Sequence, residues 1–179
     1  MTNEMQKFFI ALILFFSSFL FSNSKPVAIV VHGGAGWFEN MPEGQVEGIM
    51  KGLEDSMNIG YEILVNGGSS LDAVEQAIIH LENDPLFNAG KGAVYTSELR
   101  QELDASIMYG LNNDAGAVAS VTNVKNPISL ARYVMENTDH VMFSSRGAER
   151  VAKDAGLDIV YPSYFYQKDR LDDAKRIKK

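Results

Sequence analysis

The sequence predicts an α+β fold in which helices pack on a mostly antiparallel sheet. Three observations point to it. Hydrophobic periodicity alternates between strand and helix spacing in the order strand, two helices, three strands, helix, strand, helix. Most strands are joined by short turn-rich segments, which favours antiparallel neighbours over a doubly wound parallel sheet. The chain has 179 residues, of which 46% are hydrophobic, enough for a folded core of one domain.

Residues 8–21, FFIALILFFSSFLF, follow Lys7 and precede Ser22-Asn23-Ser24. The run is short of the roughly 20 residues a spanning helix needs and reads as a signal peptide over 1–24, cleaved after Ser24. Export to a periplasmic or secreted location is the expectation, with no stable membrane anchor after cleavage. Val27 to Val31 then reads as a buried strand ending in the glycine-rich turn HGGAG. Helical spacing from Gly44 to Leu64, with Val46, Ile49, Met50, Leu53 and Met57 on one stripe, stops at Asn66-Gly67-Gly68. Ser69 opens a second helix with Asp72 in capping-box position, and the two helices read as an antiparallel pair on a sheet face.

An irregular stretch, NDPLFNAGKG, precedes strands at Ala93 to Thr96, Leu103 to Met108 and Ala115 to Val121, the last two joined by the turn formers of YGLNND. Pro127 opens a helix to about Glu136, His140 to Phe143 is a strand, and Arg146 to Ala155 is a helix stopped by Gly156. Residues 167–179 carry six bases and three acids around three apolar residues and read as a solvated helix or charged linker.

Composition excludes several chemistries. A net charge of −7 leaves no excess of cations to displace counterions from a phosphate backbone, so nucleic acid is not an expected partner. With no cysteine there are no thiolate metal sites and no cysteine nucleophile. HGGAG and NAGKG meet neither the dinucleotide nor the Walker spacing, and no organic cofactor is expected. His32 is either a base at the mouth of a sheet or a histidine satisfied at a strand end. His80 and His140 have nothing to promote them. Glu102 and Asp104 straddle Leu103 and share a strand face, as an acid/base pair or as acids bound to turn amides. In LENDPLFNAGKG, Pro85, Gly90 and Gly92 allow carbonyls to converge on one point, which suits either a hard cation or a plain Ω-loop. No threonine follows a glycine, and spacing alone assembles no nucleophile with its base.

Five blocks together carry a resemblance. HGGAG at 32–36, PLFNAGKGAVYT at 85–96, ELDASIM at 102–108, GAVA at 116–119 and VTNVKNPISLAR at 121–132 strongly resemble the plant-type L-asparaginase and isoaspartyl peptidase family of N-terminal nucleophile hydrolases. The likeness implies an αββα four-layer sandwich made as a precursor that cuts itself before a threonine. That threonine hydrolyses asparagine and β-aspartyl peptides, with its own amine as base. The glycine-threonine block is absent from these residues, so the resemblance makes 25–166 the α chain, inactive alone, with a β chain as partner in an (αβ)2 assembly. By the same likeness Asn88 and Gly33 support the site, and the carbonyls of Leu81, Glu82, Asp84, Phe87, Ala89 and Lys91 form a structural sodium loop. A catalytically incomplete remnant or binding module, and a glycosylasparaginase, are the alternatives. Tyr109, Ser120 and Ser145 depart from the family pattern, and Ser145 is expected to strain a left-handed backbone site.

Overall fold

The computed structural model describes residues 26–35 and 41–178. The signal peptide expected over 1–24 lies outside them. Among the described residues no helix is long and apolar enough to cross a membrane. Among the described residues the fold is α+β, with five α-helices and one small mixed sheet.

Helices α1 (Glu43–Val65) and α2 (Ser70–Asn83) form an antiparallel hairpin. The turn between them closes as its composition dictates, with Gly67 at φ 83 and the Gly68 N–H donating to Ile63 O at 2.8 Å. The Ser69 hydroxyl accepts from Asp72 N at 3.0 Å, so the expected cap is formed. The face α1 buries is made of Ile49, Gly52, Ser56 and Gly60, while Met50 and Met57, expected inside, are exposed. Small residues win that face because α2 lies close: the fully buried Ser56 hydroxyl donates to Ala77 O at 2.9 Å.

Strand β1 (Leu103–Tyr109) pairs antiparallel with β2 (Asp114–Val121), and β2 pairs parallel with β3 (Met142–Ser144). The mostly antiparallel expectation is therefore corrected to a mixed sheet. Helix α3 (Pro127–Asn137) connects β2 to β3, and a helical crossover returns the chain parallel. Tyr109, expected in the turn, ends β1 opposite Asp114.

Helices α3 and α4 (Ser145–Asp154) cover one sheet face, and their apolar side chains make the core with Ile107, Val118 and Val121. The opposite face carries Ser106, Met108, Ala115, Ala117, Ala119 and Met142, with Met108 and Met142 exposed. A second sheet layer is not found among the described residues, and the helical hairpin packs on α3 rather than chiefly on the sheet.

Two expected strands are corrected. Val27 to Val31 has Ile29 against α1 at Gly60 and Val30 outward, but it has no ladder partner among the described residues. Alternation alone does not make a strand; a partner's amides and carbonyls must complete it. Ala93 to Thr96 contributes one bridge, Tyr95 to Gln101, across a tight turn. The expected linker contains α5 (Lys168–Ile177), a helix with no buried residue.

Two contacts lock α3 in place. Gly116 lies so close beneath it that a Cβ there would stand 2.1 Å from Ala131 O. Glu82, at the end of α2 and buried, accepts from Ile128 N at 3.0 Å and from Asn126 Nδ2 at 2.9 Å, so a side chain 46 residues away caps α3. Burial raises this carboxyl from 4.5 to about 7 against the opposing pull of those two donors. Arg132 adds a surface tie, donating to Asp72 and Glu75 of α2 at 2.7 Å each.

Two measurements check this packing. Gly116→Ala is expected to lower unfolding free energy in urea by about 1–3 kcal/mol, because α3 must lift off the sheet. Since the native state holds the Glu82 proton more tightly than the unfolded chain, the Glu82 contribution to stability is greatest below pH 4.5 and falls as pH rises to about 7. The contribution lost over that window is about 3 kcal/mol. Melts of the wild type and Glu82→Gln across this window should show the wild type losing stability relative to the variant as pH rises.

Candidate functional site at the glycine-rich loops

The HGG segment and the NAGKG loop, more than fifty residues apart in sequence, meet at one cleft of about 510 Å³ lined by His32, Gly33, Phe87, Asn88 and Arg170 among others. Gly33 lies on Leu53 and Phe87, whose nearest carbons would be 3.2 Å and 3.4 Å from a Cβ at that position. The structure thus brings Gly33 and Asn88, the two expected supporting residues, to the same place.

The Asn88 Oδ1 accepts from Val94 N at 3.0 Å. That bond fixes the amide plane and leaves the exposed Nδ2 as a free donor at the cleft, with no partner among the described residues. The loop is held from outside as well. Lys91 places its ammonium 4.9 Å over the Tyr164 ring, and the Gln101 amide donates to Ala93 O at 2.7 Å and Phe165 O at 2.9 Å. Arg170 of α5 donates to Leu86 O at 3.4 Å, so the segment expected as a solvated helix or charged linker touches the loop.

Within the loop, a Cβ at Gly90, which has φ 47, would stand 2.1 Å from Glu82 O, and one at Gly92 would stand 1.9 Å from Phe87 O and 2.5 Å from Pro85 O. Glycine is required at both, and the carbonyls crowd around them. Those of Leu81, Asp84 and Ala89 accept from Asp84 N at 3.2 Å, Phe87 N at 3.4 Å and Gly92 N at 3.0 Å. No donor among the described residues engages those of Glu82, Phe87 and Lys91. Free carbonyl oxygens in a tight loop are the ligand type that a hard cation takes. No carboxylate or imidazole cluster of the kind that holds a transition metal occurs among the described residues.

The other candidates have structural duties. His32 Nδ1 accepts from Gly34 N at 3.1 Å, on an exposed ring beside the cleft. His140 stacks edge-on against Phe143, and His80 lies partly buried on α2. Glu102 pairs with Arg100 at 2.6 Å, while Asp104 accepts from Ser120 N at 2.8 Å at a β-bulge. Thr96 and Thr138 have local hydrogen bonds, Thr122 donates to Glu149, and none of the three lines the cleft. Ser145 has φ 48, as expected of a left-handed position, and Ser120 has φ 53. Sequence reasoning missed the Glu82 carboxylate and Arg170, because nothing local marks a side chain whose partner lies 46 or 84 residues away.

The family model described as "Asparaginase" matches residues 24–179. A plant-type L-asparaginase of Pyrococcus horikoshii is 44% identical over 152 residues, covering 85% of this chain and 48% of the relative. An isoaspartyl peptidase/L-asparaginase of Rattus norvegicus is 47% identical over 131 residues, covering 73% and 39%. Another of that name from Xenopus laevis is 47% identical over 133 residues, covering 74% and 42%. The chain thus spans less than half the length of these relatives. The matched family model takes in both glycine-rich segments that form the cleft, and the chain belongs to this asparaginase family.

Proposed function

We propose that this chain is the N-terminal, α-chain part of an isoaspartyl peptidase/L-asparaginase, hydrolysing asparagine and β-aspartyl peptides. The observation that carries the reading is the meeting of the HGG and NAGKG segments at one cleft, with Asn88 Nδ2 lacking a partner among the described residues. The names of the relatives support the substrate class.

In this reading the nucleophile is a threonine on the rest of the protein, exposed as an N-terminus by self-cleavage. Its α-amine, with a pKa near 8, takes the hydroxyl proton as the oxygen adds to the side-chain carbonyl of the substrate. The proton then passes to the leaving nitrogen, giving ammonia from asparagine or a free α-amine from a β-aspartyl peptide. Water hydrolyses the resulting ester and releases aspartate. Asn88, its amide plane set by Val94, donates into the cleft and positions the groups around the nucleophile.

A sodium ion held by carbonyls of the 81–91 loop would keep that loop, and hence Asn88, in place. The open sheet face and the unpaired segment Val27 to Val31 are surfaces that a β chain would cover, completing a four-layer sandwich in an (αβ)2 assembly. Export through residues 1–24 belongs to the same reading.

Three outcomes are expected. The 179-residue chain alone should release no ammonia from asparagine, and measurable turnover would place the nucleophile within it. In the protein expressed from its complete reading frame, Asn88→Ala should lower kcat/KM for both substrates by about tenfold to a hundredfold, measured by ammonia and aspartate release. Exchanging sodium for tetramethylammonium should lower its melting temperature by a few degrees, as loss of a native-state ligand does; an unchanged melt removes the ion from the loop.

A further inference from the structure

Asparagine and a β-aspartyl dipeptide differ in charge at the leaving group. Both carry the α-carboxylate and α-ammonium of the aspartyl part, which cancel. The dipeptide's leaving amino acid adds a second carboxylate, separated from the scissile nitrogen only by its Cα, whereas the ammonia that leaves asparagine adds none. A site that prefers the dipeptide must answer that extra negative charge.

Among the described residues the loop cleft is lined by one side chain of fixed charge, the guanidinium of Arg170, and by no carboxylate. The rest of that lining is the His32 imidazole, the amides of Gln45 and Asn88, glycines and apolar residues. Arg170 donates to Leu86 O at 3.4 Å and makes no ion pair among the described residues. Acids near it are engaged or turned elsewhere. On α5, Asp172 pairs with Lys168 and Asp173 with Arg176, while the exposed Asp169 does not line the cleft. In the loop, Asp84 turns its Oδ1 to Leu86 N at 2.9 Å and stays out of the lining.

The guanidinium is also held in place. Arg170 ties α5 to the loop at one end, and Lys178 ties it at the other by donating to Ser97 O at 2.8 Å. Arg170 is half-buried on a helix that has no buried residue, so it meets the cleft from the solvent side, where a leaving group departs. Its bond to Leu86 O occupies one donor and leaves the others for a planar carboxylate, the partner that a guanidinium fork fits best.

We propose that Arg170 is a specificity-determining residue that binds the carboxylate of the leaving amino acid and so favours β-aspartyl dipeptides over asparagine. The inference rests on the isoaspartyl peptidase reading above.

The test is steady-state kinetics, read as aspartate release by the protein expressed from its complete reading frame, on β-aspartyl-leucine, its C-terminal amide and asparagine. The amide keeps the shape of the dipeptide and removes the charge. Arg170→Ala should lower the ratio of kcat/KM for the acid to that for the amide by about tenfold or more, through KM rather than kcat. Arg170→Gln, which keeps a donor for Leu86 O without the charge, should lower the ratio as far, and Arg170→Lys should recover part of it. Because the ratio is internal to each preparation, partial unfolding of a variant cannot mimic the result. An unchanged ratio in Arg170→Ala overturns the proposal, whatever happens to the absolute rates. Equal loss on all three substrates, with rescue by Arg170→Gln, would reduce Arg170 to a strut for the loop. Either result, with asparagine still hydrolysed by the wild type, removes this proposal and leaves the α-chain reading standing; no turnover of any of the three removes both.

Discussion

Glu82 connects three parts of the molecule that share little else. Its backbone ends the helical hairpin, its carbonyl abuts Gly90 in the glycine-rich loop, and its carboxylate caps the helix that lies on the sheet. A buried carboxylate is costly, and the carboxyl raised to about 7 measures that cost. The return is positional. With two donors from the 126–128 segment, the hairpin cannot rotate relative to the sheet without stranding an amide in the core. The loop that presents Asn88 therefore inherits its place from the sheet rather than from its own short-range geometry.

Local signals were legible wherever the physics is local. The Ser69 cap, the Asn66-Gly67-Gly68 stop, the proline start of α3 and the β1–β2 hairpin follow from turn and cap chemistry within a few residues. What sequence alone misjudged depends on distant partners. Val27 to Val31 has a strand's composition without a strand's neighbour among the described residues, and the direction of β3 is fixed by the helix before it rather than by its own residues. On α1, hydrophobicity pointed to Met50 and Met57, whereas close approach of α2 selected Gly52, Ser56 and Gly60. Apolar content marks what can be buried; interhelical distance decides what is.

For the site, the family blocks pointed to Asn88 and Gly33, and the fold brings them together at one cleft. The carboxylate of Glu82 and the guanidinium of Arg170 were illegible, since each acts across the fold and Glu82 is singled out in the sequence only for its carbonyl. The loop's carbonyl set was legible only through resemblance, because backbone oxygens leave no trace in side-chain identity. Its glycines do leave one: Gly90 and Gly92 stand where any Cβ would collide with a carbonyl.

The sequence separation of these contacts also has a kinetic meaning. The hairpin closes over short stretches, with Ser56 meeting Ala77 across 21 residues, whereas the Glu82 cap spans 46 and the Arg170 contact 84. Loop-closure entropy rises with each span, so the hairpin can assemble while the chain is still emerging from the ribosome. Glu82 then waits as an exposed, ionised carboxylate until residues 126–128 arrive. The step that brings them together must strip its water and raise its proton affinity, and acidity thereby becomes a variable of folding rate as well as of stability.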